Sequence, residues 1–172
     1  MTALVLMVPL LAMWFTDEVR WDAGDFLLAA ALLFATGLAY ERLARRAGNV
    51  AYRGASGLAL GAALMLVWAN LAVGVIGHEG DPANLMYIGV LAVGIAGSII
   101  ARFQPIGMAR ALLATAIAQA LVATIALIGR LGAPSSGPAQ IILTNGLFVA
   151  LFVASAWLFR RAARMQTEAR SL

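Results

Sequence analysis

The sequence predicts an all-α polytopic membrane bundle of six spans, the first one short, with both termini cytoplasmic. Three observations carry that expectation. The chain is 63% hydrophobic and 12% charged, about half the charged share of a soluble domain. Its apolar residues fall into runs long enough to cross a hydrocarbon core of about 30 Å as helices. Its arginines and acids also alternate along the chain in the manner of the positive-inside rule.

Taken in order, the runs differ in strength. The first, 1–15, reaches only about 22 Å at 1.5 Å per residue, short of a full crossing. No basic region and no small-residue cleavage site mark it as a secretory signal. It reads as a short span ending near Trp14 and Trp21, or as part of a helix starting before Met1. It has almost no polar face, which argues against a surface helix and for six spans over five. The second run, 26–40 with its flanks, ends at Arg45-Arg46, and the third covers 54–77. The fourth, 85–100 with its flanks, follows Gly80-Asp81-Pro82. The fifth, 108–129, follows Pro105-Ile106-Gly107. The last, 141–159, follows Pro134-Ser135-Ser136-Gly137-Pro138, another run of helix-breaking residues. The length leaves room for a single transmembrane domain, 1–172.

Charge gives the threading. Arg42, Arg45, Arg46 and Arg53 share one connection, Arg102 and Arg110 another, and Arg160, Arg161, Arg164 and Arg170 the tail. Asp17, Glu18, Asp22, Asp25, Glu79 and Asp81 occupy the intervening connections. Residues 41–53, 102–110 and 160–172 are therefore expected in the cytoplasm, and 16–25 and 77–84 outside. The net charge of +4 belongs to this flanking pattern and does not form the continuous patch that nucleic acid requires. The absence of cysteine and lysine excludes disulfides, thiolate chemistry and Schiff bases.

Small residues indicate where helices meet, since lipid supplies no hydrophobic drive between them. Ser56, Gly57 and Gly61 form one such row, and Gly94 with Ser98 another. The fifth run carries alanine at 109, 111, 114, 116, 118, 120, 123 and 126. The third, fourth and fifth runs are therefore expected to be central. The Leu/Phe-rich second and sixth are expected to face lipid.

Few polar groups lie within the runs. Asn70, Thr115, Gln119 and Thr124 are the candidates for a pore lining or for interhelical hydrogen bonds. Asn70 and Gln119 would meet if their helices touched. Hydrogen bonding is the favoured account, at about 0.6 kcal/mol per bond on average. No Asp, Glu, Arg or His lies at the centre of any run, which counts against a proton pump or ion-coupled carrier. The outer connection His78-Glu79-Gly80-Asp81-Pro82 holds the single histidine. With Asp17 or Glu18, the groups of His78, Glu79 and Asp81 form a candidate cation or partner site. The spacing lacks the second histidine of a zinc-protease motif, and no metal or cofactor is assigned. The competing account is a turn in which Asp81 caps a helix that begins at Pro82.

The segments TDEVRWDAGDF (16–26), WANLAVGVIGHEGDPANLMY (68–87) and FQPIGMARALLATAIAQALVA (103–123) resemble those of a group of small, uncharacterised bacterial multi-pass membrane proteins. That resemblance implies a bacterial inner (cytoplasmic) membrane location and brings no activity or site residues with it. The functional expectation is a non-enzymatic accessory or structural protein. Its partners would be the lipid bilayer, a second copy or another membrane protein, and not nucleic acid. A small channel or facilitator is the alternative, and an intramembrane enzyme ranks last because no acid–base or nucleophile–base pair is present.

Overall fold

Asp22 and Asp25 open the first helix by capping one another. The Asp25 N–H donates to Asp22 Oδ1 at 2.9 Å, and the Asp22 N–H donates to Asp25 Oδ2 at 3.0 Å. This is a capping box with aspartate in the place of glutamate. The computed structural model describes residues 22–78 and 80–170. The expected first span and the acids Asp17, Glu18 and Glu79 lie outside them. Helix accounts for 83% of the described residues, and none of them lies in a strand.

Among the described residues five helical segments are long and apolar enough to cross a membrane, the third of them counted together with the 3-10 turn that precedes it. They are α1 (Ala23–Arg46), α2 (Val50–Ala72), α3 (Met86–Ile100), α4 (Pro105–Ile128) and α5 (Pro138–Arg170). A 3-10 turn, Pro82–Leu85, leads into α3. The chain divides into two compact units between Arg42 and Leu43. The first unit's described part is the body of α1. The second holds the last turn of α1 and everything after it.

Within the second unit α2 packs on α5, α5 on α4, and α4 on α3. The long helix α5 is thus the centre, which corrects the expectation that its Leu/Phe-rich face meets lipid. It buries Ile141, Asn145, Phe148, Phe152, Ser155, Ala156, Phe159 and Ala162, a stripe that recurs every three or four residues. The neighbouring helices bury small residues in turn: Ala55, Ser56 and Ala62 on α2, and Ala109, Ala116 and Ala126 on α4. Large rings set against alanine allow helices to approach closely, and close packing is what holds a bundle together in lipid. Phe159 also meets Tyr52 of α2 edge to face, with ring centroids 5.0 Å apart.

Both ends of this unit are fastened by polar groups. At the arginine-rich end, Asn49 Oδ1 accepts from the Tyr52 N–H at 2.9 Å and so caps α2. Its Nδ2 donates to the Ala162 carbonyl of α5 at 2.8 Å. The Tyr52 hydroxyl donates to the Phe103 carbonyl at 2.7 Å, tying α2 to the α3–α4 turn. Arg102 and Phe103 in that turn have φ of 50° and 60°, a left-handed conformation that costs a side-chain-bearing residue about 1–2 kcal/mol. At the opposite end, Gly77 (φ 70°) and Gly132 (φ 80°) lie against each other. A Cβ on Gly132 would sit 2.5 Å from the Gly77 nitrogen. Only glycine fits either position.

Candidate functional site

The most distinctive arrangement is a polar cluster sealed inside the bundle where α3, α4 and α5 meet. Asn145 of α5 is its centre. Its Nδ2 donates to the Ile141 carbonyl one turn back at 2.9 Å, which fixes the amide. Its Oδ1 then accepts twice, from the Tyr87 hydroxyl of α3 at 2.8 Å and from Gln119 Nε2 of α4 at 2.9 Å. Tyr87, Gln119 and Asn145 are each no more than 2% exposed. One acceptor thus joins three helices, and a helix carrying leucine at 145 could join none of them. Gln119 Oε1 is buried and has no hydrogen-bond partner.

Asn70, Thr115 and Thr124 bond to carbonyls of their own helices, while the buried Ser56 hydroxyl has no hydrogen-bond partner. The Asn70 Nδ2 group donates to the Leu66 carbonyl at 2.8 Å. Thr115 donates to the Ala111 carbonyl at 3.0 Å, and Thr124 to the Ala120 carbonyl at 2.8 Å. Asn70 and Gln119 do not meet, because α2 packs on α5 and not on α4. Gln119 finds Asn145 in its place. A second bridge, from the Ser155 hydroxyl to the Ala55 carbonyl at 2.7 Å, joins α5 to α2. None of these groups is an acid or a nucleophile–base pair, and the bonds they make are hydrogen bonds within and between helices.

The connection 73–85 is built around Asn84, which is 8% exposed. Its Oδ1 accepts from the N–H groups of Val75 and Ile76 at 3.1 and 3.0 Å. Its Nδ2 donates to the carbonyls of Ile76 and His78 at 3.0 and 2.8 Å. Asp81 Oδ1 accepts from the Ala83 N–H at 2.9 Å, capping the 3-10 turn with Pro82 in its first position. His78 is exposed, and its Nδ1 accepts from the Gly80 N–H at 3.2 Å. Two members of the candidate cation site, His78 and Asp81, are therefore bonded to backbone. Among the described residues no three His, Cys, Asp or Glu side chains come together as metal ligands. Beside this connection a groove of about 390 Å³ runs between α2 and α3. Asn70, Asp81, Asn84 and Tyr87 supply its polar wall, and Val67, Leu71 and Leu91 its apolar wall.

No family model, curated protein or solved structure matches this chain.

The small-residue rows divide. A Cβ on Gly94 would lie 3.0 Å from Thr115 Oγ1, so this glycine lets α3 approach α4. Ser98 is half-buried and donates to the Gly94 carbonyl at 2.7 Å. Gly57 is half-buried, whereas Gly61 is exposed with open space where its Cβ would stand. The packing face of α2 is instead the one bearing Ala55, Ser56 and Ala62. Gly97 makes the tightest approach on α3, with a Cβ there falling 2.8 Å from the Ala111 Cβ. Sequence reasoning passed over Gly97, Asn84 and Tyr87. A Gly94-x-x-Gly97 pair and an Asp-Pro-x-Asn turn are the signals that mark the first two. A tyrosine one turn into a span reads as an interface aromatic, and nothing in its spacing points at Asn145.

Proposed function

We propose that this protein is a non-enzymatic, multi-pass protein of a bacterial inner membrane, serving as an accessory or structural subunit. The observation that carries the reading is the fate of the polar side chains in the spans. Asn70, Thr115, Gln119, Thr124, Asn145 and Ser155 each bond to a neighbouring helix or to their own helix's backbone, which supports a role in fastening the bundle over the lining of a path. The proposed threading has six spans and both termini in the cytoplasm, with the connections 73–85 and 129–137 outside. The gathering of Arg46, Arg53, Arg102, Arg110, Arg160 and Arg164 at one end of the second unit supports the sides given to the later connections, and the apolar run 1–15, with almost no polar face, supports the sixth span.

Two experiments test the proposal. The chain has no cysteine, so Ser171→Cys gives one labelling position. Modification by an impermeant reagent in intact cells would overturn the cytoplasmic tail, and modification only after permeabilisation supports it. Protein reconstituted in liposomes should pass no small polar solute or ion above the protein-free control. A flux abolished by Gln119→Leu would replace the structural reading with a channel, whereas a stoichiometric membrane partner retained in mild detergent supports it.

A further inference from the structure

The arginines that set the threading do more than count. Arg110 of α4 and Arg160 and Arg164 of α5 converge, together with Ile106, on a groove of about 340 Å³. Arg160 and Arg164 are four residues apart and share one face of α5. Arg161, between them, is diverted: its guanidinium lies 5.8 Å from the Trp157 ring centroid. The positive-inside rule requires basic residues at this end but not their convergence on one cavity. Three like charges facing one space repel unless an anion sits among them.

Two further features point to the kind of anion. Ile106 belongs to the first turn of α4, a helix of 24 residues whose cap residue, Gln104, offers no side-chain acceptor to the first N–H groups. The first turn of the helix, its positive end, therefore borders the same groove. From the groove toward mid-membrane, α4 presents exposed Ile117 and Leu121, and α5 presents exposed Trp157 and Val153. An oxyanion site continuous with an exposed apolar strip matches a phosphate carried on acyl chains.

We propose that Arg110, Arg160, Arg164 and the first turn of α4 form a binding site for the phosphate of an anionic phospholipid. Guanidinium forks suit phosphate oxygens because they donate two parallel hydrogen bonds at once. A phospholipid brings that phosphate already at the height where the apolar spans end. The inference rests on the membrane-spanning reading and gives that reading a lipid partner.

The test uses the full-length protein reconstituted with mixed phosphatidylglycerol and phosphatidylcholine, the bound lipid being measured by native mass spectrometry after mild extraction. Wild type should retain phosphatidylglycerol over phosphatidylcholine. The triple variant R110Q/R160Q/R164Q should lose about a hundredfold in that preference, and each single variant about fivefold. The single variants keep the test valid should the triple variant fail to fold. The control R53Q/R102Q, at the same end but away from the groove, should stay within about twofold. Equal losses in the control and the triple variant would mean diffuse charge and overturn the site, as would undiminished retention in the triple variant. Inorganic phosphate that binds wild type as tightly as the lipid would overturn the lipid assignment. Failure of wild type to reconstitute overturns the membrane reading itself, and the inference with it.

Discussion

Replacing Asn145 by leucine should destabilise the bundle far more than replacing Gln119 by methionine, although both remove a buried amide. Asn145→Leu takes away the acceptor shared by Tyr87 and Gln119, leaving two buried donors without partners. Interhelical bonds in membranes average about 0.6 kcal/mol and reach about 1.7 kcal/mol, so the two together come to about 1–3 kcal/mol. Gln119→Met removes one of those bonds. It also removes Oε1, which is buried without a partner, and such an orphan costs about 1–3 kcal/mol. The net change should lie within about 1 kcal/mol of zero. Tyr87→Phe, Gln119→Met and Asn145→Leu combined leave no stranded group and should recover most of the loss, because removing all partners together is nearly neutral. Unfolding in a denaturing-detergent titration, read by helical circular dichroism, measures all of these. A triple variant whose loss equals the sum of the single losses would refute the reasoning, as would equal losses for Asn145→Leu and Gln119→Met.

Other substitutions check the remaining contacts. Gly97→Leu should destabilise by more than about 2 kcal/mol, because its side chain would collide with Ala111 backbone as well as side chain. Gly61→Leu, with open space around it, should stay within about 0.5 kcal/mol in the same detergent titration. Asn84→Ala should cost about 2–4 kcal/mol by stranding backbone groups of Val75 and Ile76 in a buried site. His78→Ala, at an exposed position, should melt with the wild type. Arg102→Gly should raise stability by about 1 kcal/mol by accepting the positive φ without strain.

The five described helices were legible because hydropathy alone marks a span, and Asp81-Pro82 was legible because its capping chemistry is local. The order in which helices pack was not. Leucine and phenylalanine are equally at home in lipid and in a membrane protein's core, so the composition of α5 was silent about its central place. Gly61 lies off the packing face for a geometrical reason. Neighbouring helix positions differ by about 100° in direction, so a face carrying Ala55, Ala62 and Leu66 inward points Gly61 outward. The Gln119–Asn145 bond depended on that packing order. Gln119 itself stood out as a polar residue amid alanines, but its partner became visible only once α4 and α5 were seen to be neighbours. Convergence of the groove arginines was hidden likewise, because Arg110 and Arg160 are distant in sequence and meet only through the antiparallel α4–α5 hairpin.

The bridge from Ser155 to Ala55 spans 100 residues of chain, and that separation sets a timetable for biosynthesis. Synthesis adds about 5–20 residues per second, so α2 leaves the ribosome about 5–20 seconds before the part of α5 that it packs against. Through that interval Ala55, Ser56, Ala62 and Leu66 meet lipid or the insertion machinery in place of their final neighbour. Bilayer thickness, insertase contacts and translation speed over residues 73–137 therefore act on a half-assembled protein whose central helix arrives last.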